Sequence, residues 1–153
     1  MDFLELKIPP PLVGALCALA MWGLAGLAPG WPDAPTLRAL AAGALLAAGL
    51  AIDLLGLLGF RAQRTTINPL APQRSSALVT GGIYRLTRNP MYLGMGALLL
   101  AWAVWLWAPL ALLGPPAFVL YITRFQIRPE ERVLQRLFGD AYTHYTRRVR
   151  RWL

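Results

Sequence analysis

The chain is poor in the residues most often used for metal and thiol chemistry. It has one cysteine and one histidine among 153 residues. With Cys17 alone, a disulfide within the chain and the paired-thiol spacings of redox and zinc sites are excluded. With His144 alone, a multi-histidine metal site is excluded, and no metal is expected. Charge is also scarce, at 14% of residues against the roughly 25% usual in soluble domains. Acids are scarcest, seven against fifteen Lys and Arg. No strand–glycine-rich loop–helix pattern is present, so a Rossmann-type nucleotide fold is not indicated.

Apolar sequence fills the chain instead, at 57% of residues. Four runs stand out, at about 12–27, 37–60, 91–107 and 110–125. The second is long enough to span a bilayer with some tilt. The last two flank Pro109 and read as a tight helical hairpin, each slightly short for a crossing, so a partly re-entrant pair stays open. The first run lacks the basic leader and small-residue cleavage site of a signal peptide, and it is taken as a retained span. The expected architecture is one all-α integral membrane domain over 1–153, with about four transmembrane helices. A loop at 61–90 and a tail at 126–153 would lie outside the bilayer.

Basic residues are unevenly placed. Arg61, Arg64, Arg74, Arg85 and Arg88 fall between the second and third runs, and eight more arginines fall from Arg124 onward. The positive-inside rule assigns both stretches, and with four crossings both termini, to the cytoplasm. Anionic headgroups account for this charge, so the lipid bilayer is the expected partner and nucleic acid is not. Trp22, Trp31, Trp105 and Trp107 suit the opposite interface.

A loop of about 30 residues is long for so small a membrane protein. It carries Pro69, Pro72, Pro90 and the Gly81-Gly82 pair, and is expected to fold back as a lid. In the tail, Pro129 with Glu130 and Glu131 suits a helix start, Gly139 a stop and Asp140 a new cap. Tyr142, Tyr145, Val149 and Trp152 would share one face of the second tail helix, lying on the membrane. Asp53 is the one acid deep in an apolar run, either functional or paired with Arg61.

Three elements then line up: Arg88-Asn89-Pro90-Met91-Tyr92-Leu93-Gly94, an apolar hairpin followed by Pro129-Glu130-Glu131, and Phe138-Gly139-x-x-Tyr142-x-x-Tyr145. Together they resemble the isoprenylcysteine carboxyl methyltransferases and, more distantly, the phospholipid N-methyltransferases, over about residues 64–152. The resemblance implies methyl transfer from S-adenosylmethionine on the cytoplasmic side, in a pocket between the hairpin and the cytoplasmic segments. The acceptor would be lipophilic or lipid-modified. A carboxylate is the expected acceptor, since it needs no strong base; a phospholipid amine, which must first lose a proton, is the alternative, and a non-catalytic scaffold of the same shape is the third possibility.

The same resemblance marks the cofactor-binding candidates as Arg88, Asn89, Pro90, Tyr92, Leu93, Gly94, Glu130, Glu131, Tyr142 and Tyr145. Arg128 and Glu131 are the catalytic candidates. Chemistry suits them: the acids for the amino group or sulfonium, Arg88 for a carboxylate through its planar fork, Gly94 for close backbone approach, the tyrosines for adenine. Each also has a plainer role, as a helix-dipole acid, a headgroup arginine, a packing glycine or an interfacial tyrosine. Asn89 stands where the resembling family often has histidine. It cannot serve as a base, and is expected to orient the cofactor or hold the loop.

Overall fold

The computed structural model describes residues 2–63, 70 and 72–153. Arg64 and Pro69 lie outside them. Among the described residues there are five α-helices: α1 Pro10–Ala25, α2 Pro35–Ala62, α3 Pro90–Leu106, α4 Gly114–Ile122 and α5 Arg128–Arg148. A π-helical segment, Thr123–Ile127, joins α4 to α5 without a break. No strand occurs among the described residues. Every helix carries proline in its first turn, where the missing N–H costs no intrahelical bond.

α2 is 28 residues long, roughly 42 Å at 1.5 Å per residue, more than a bilayer core needs. α2 and the continuous run Pro109–Arg148 are the two helices long and apolar enough to cross a membrane. α1 and α3 are apolar but shorter, at 16 and 17 residues. Four crossings are therefore not settled by length and composition.

α3 packs mainly on α2, and the fit depends on small residues. The buried positions of α2 are Ala42, Gly49 and Gly56, seven residues apart. A Cβ on Gly94 would lie 2.9 Å from the Gly49 carbonyl oxygen and 2.1 Å from Asp53 Oδ1. Backbones come this close only where side chains are absent. Gly94 thus serves the close packing of the α2–α3 interface. Asp53 is no partner of Arg61: its Oδ1 is buried at that interface without a hydrogen bond, while Arg61 is exposed.

Two apolar cores result. One lies among the helices and includes Met21, Leu99, Phe118 and Ile122; the other joins Val79 and Tyr84 of the loop to Tyr142, Tyr145 and Val149 of the tail. Within the described part of the loop, residues 78–84 pack against the tail, whose tyrosines are buried there rather than presented to lipid. Gly139 divides α5 with φ 48° and ψ −121°, so the expected break is present. The second tail helix is shorter than expected. It ends at Arg148, and Val149 is extended at φ −123°, ψ 130°. Trp152 therefore leaves the helical face, because residues 149–153 turn back to hydrogen-bond the start of α3.

Candidate active site

A cavity of about 290 Å³ lies between the two cores. Arg88 and Asn89, just before α3, line it with Pro90 and Tyr92 of the first turn, and α5 lines it with Glu130, Glu131, Tyr142 and Tyr145. Residues 40 apart in sequence meet here because the α3–α4 hairpin returns the chain to its starting level. Pro10 and Pro11 at the head of α1 and Phe60 at the end of α2 form another wall, and Met91 and Met95 make it apolar.

Polar contacts in the cavity are specific. Glu131 accepts from Arg88 Nη2 at 2.9 Å and from Arg151 twice, Nε to Oε1 at 2.9 Å and Nη2 to Oε2 at 2.7 Å. Arg88 Nε is buried without a partner. Glu130 accepts from neutral donors, the Tyr92 hydroxyl and Gln126 Nε2, both at 2.6 Å. Burial in this setting lifts the Glu130 carboxyl from its usual 4.5 to about 7, against the lowering effect of those two hydrogen bonds. Burial likewise raises Tyr142, and takes Tyr145 up to about 12.

Other candidates are placed differently. The Tyr145 hydroxyl donates to the Tyr84 carbonyl at 2.7 Å, fastening loop to tail. The Asn89 side chain donates to the Arg151 carbonyl at 2.9 Å, tying the residue before α3 to the tail. Leu93 and Gly94 are not among the cavity's lining residues. Arg128 lines a shallow neighbouring groove with Arg132, Arg136, Arg88 and Arg151, not the cavity itself.

Arg151 and Gln126 were not anticipated. Gln126 had a signal: it is a polar residue at the end of an apolar run, four positions before Glu130, the spacing that stacks side chains on a helix. Arg151 had none, as one of a pair in a basic tail. The π-helical segment that carries Gln126 also has no sequence signature.

The cavity is thus an acid–arginine site at the end of an apolar hairpin. The profile of the phospholipid methyltransferase family matches residues 37–141. The chain belongs to the phospholipid methyltransferase family. Membership implies a membrane methyltransferase. The matched region takes in α2, which the motif resemblance did not, and runs through the acid pair to the Gly139 break. Tyr142, Tyr145 and the returning residues 149–153 of this family member lie beyond it. An uncharacterized protein of Haemophilus influenzae is 51% identical over 63 residues, which are 41% of this chain and all of that protein. No solved structure matches the chain.

Proposed function

We propose that this protein transfers a methyl group from S-adenosylmethionine to a lipophilic acceptor drawn from the bilayer, and that the acceptor is an amine. The observation that carries the reading is the single cavity in which Arg88, Glu130 and Glu131 meet an apolar wall. The residues fit the cofactor: the unpartnered Arg88 Nε suits its carboxylate, the Glu130 carboxylate suits a cation, and the tyrosines offer aromatic walls. When bound, S-adenosylmethionine supplies an electrophilic methyl group.

The protein's part is to hold the acceptor in line, exclude water and manage one proton. An ammonium must lose a proton before its nitrogen can form the new bond to carbon. Glu130, poised near 7, can take that proton at neutral pH. The apolar wall at Met91 and Met95 suits a lipid chain entering from the bilayer. We read all four apolar runs as crossings, with α1 and α3 short. Arginine placement then puts the termini and the cavity on the cytoplasmic side.

The arginine groove beside the cavity favours a second reading, a lipophilic carboxylate as acceptor. Incubating the protein in membranes with methyl-labelled cofactor separates the two. Label that survives mild base is methylamine; label released by it is ester. No labelled lipid, with no heat on titration of S-adenosylhomocysteine, would leave a non-catalytic scaffold.

A further inference from the structure

Residues 149–153 are held across the mouth of α3 by contacts that span 62 or more positions of sequence. The Arg88 amide donates to the Arg150 carbonyl at 3.0 Å. The Arg151 carbonyl accepts from Asn89 Nδ2 at 2.9 Å and from Thr87 Oγ1 at 3.2 Å. Both ends of the segment are anchored. Val149 is buried in the loop–tail core, and Trp152 packs on the helical core with its indole N–H donating to Thr123 Oγ1 at 3.2 Å.

From this segment the Arg151 guanidinium reaches Glu131 with two parallel bonds, one to each carboxylate oxygen. Such a fork fixes the plane of the carboxylate as well as its charge. Arg88 Nη2 then approaches Oε1 of a carboxylate that is already oriented. The same orientation leaves Arg88 Nε at the cavity with no acceptor of its own.

We propose that Arg151 is a positioning residue of the cofactor site, held in place by the anchored segment 149–153. This rests on the S-adenosylmethionine reading above. Arg151 aligns Glu131, Glu131 aligns Arg88, and Arg88 presents its unpartnered Nε–H to the bound group. Arg151 also offsets the Glu131 charge beside Glu130, whose other facing groups are Tyr92 from α3, Gln126 from the π-helical segment and Tyr84 from the loop.

The test is titration of S-adenosylhomocysteine into the detergent-solubilised full chain, with Arg151→Gln, Arg151→Lys and, as a charge control on an exposed position, Arg148→Gln. The expected result is about tenfold weaker binding for Arg151→Gln, the scale of one charge-assisted fork. Lysine restores charge without the planar fork, so Arg151→Lys recovers only part of the loss. Arg148→Gln binds like wild type. In Arg151→Gln the pH dependence of binding also moves to higher pH, because Glu131 bears more strongly on Glu130; a mere prop for the tail would not move it. Hydrogen exchange without ligand gives an independent readout, with the Arg88 amide exchanging about tenfold faster in the variant as its bond to Arg150 loosens.

Wild-type binding with unchanged affinity and pH dependence in both Arg151 variants would overturn the assignment and leave the cofactor reading intact. Wild-type protein that fails to bind would overturn both.

Discussion

Glu130 and Glu131 are neighbours at the start of α5, and their carboxylates are held by opposite kinds of donor. Glu131 lies between two guanidiniums, while Glu130 is buried against a tyrosine hydroxyl and a glutamine amide. Adjacent helical residues point about 100° apart, so the pair cannot share one partner. One acid is locked by charge; the other stays available for a cation or a proton.

Replacing the two acids by glutamine should therefore have different consequences. Glu131→Gln leaves two guanidiniums beside a neutral amide and is expected to cost roughly 2 kcal/mol of stability. That is less than for a fully buried pair, because the Arg151 side chain is 34% exposed. Glu130→Gln keeps an acceptor for Tyr92 and Gln126, so below pH 4.5, where wild-type Glu130 is protonated in both states, it should unfold near the wild-type temperature, while losing methyl transfer at neutral pH. Thermal unfolding in detergent with a paired activity assay checks both; equal stability loss would contradict the division of roles.

Glu130 also predicts a pH dependence. Its proton is held more tightly folded, at about 7, than unfolded, near 4.5. The stabilisation is full below pH 4.5 and is lost as pH rises through 7, on the order of 3 kcal/mol in all. Wild type should therefore lose stability relative to Glu130→Gln across that window. Amine methylation should rise over the same range, since the acid must be ionised to accept a proton. Tyr92→Phe removes a hydrogen bond that lowers this value, so the rise should move to higher pH. A flat profile between pH 5 and 8 would remove Glu130 as the base.

Gly94→Ala places a methyl group against Asp53 and the Gly49 carbonyl, and should cost about 1–3 kcal/mol by forcing α2 from α3. Adding Asp53→Ala should recover part of that loss by freeing the space the carboxylate occupies. Urea or thermal unfolding of the single and double variants measures the coupling. Strict additivity would show that the two positions do not touch.

Gly139→Ala tests the break in α5. The observed φ and ψ are open to glycine and strained for any side chain, so the substitution should cost about 1–3 kcal/mol. It should also loosen Tyr142 and Tyr145 from the loop core, with faster hydrogen exchange around residues 79–84. Unchanged exchange there would place the kink outside the architecture of the site.

Much of this was legible in residue order because the signals are local. Proline in each first turn, Trp107 at φ 55° ending α3 ahead of Pro109, and Gly139 inside α5 all act within a few residues of themselves. The meeting of the Arg88 turn and the acid pair in one cavity agrees with motif spacing across a hairpin of helical length, while the direct bond between Arg88 and Glu131 was not among the expectations. The expected surface helix at the tail did not materialise. Its tyrosine stripe has the same period whether it meets lipid or the Val79 and Tyr84 of a folded loop.

The sequence by itself determined an all-helical membrane chain, the turn at Pro109 and the break at Gly139, and an acid pair brought back toward an arginine–asparagine–proline turn. Periodicity, proline and glycine act through the nearest turn of backbone, which suffices for those features. Only the tertiary structure decided which acid is locked and which is buried near neutrality. It also decided that Gly94 serves packing and that Arg151 belongs at the site. Those outcomes depend on desolvation and on bonds between residues 20 to 64 positions apart, and the path of the returning chain sets them.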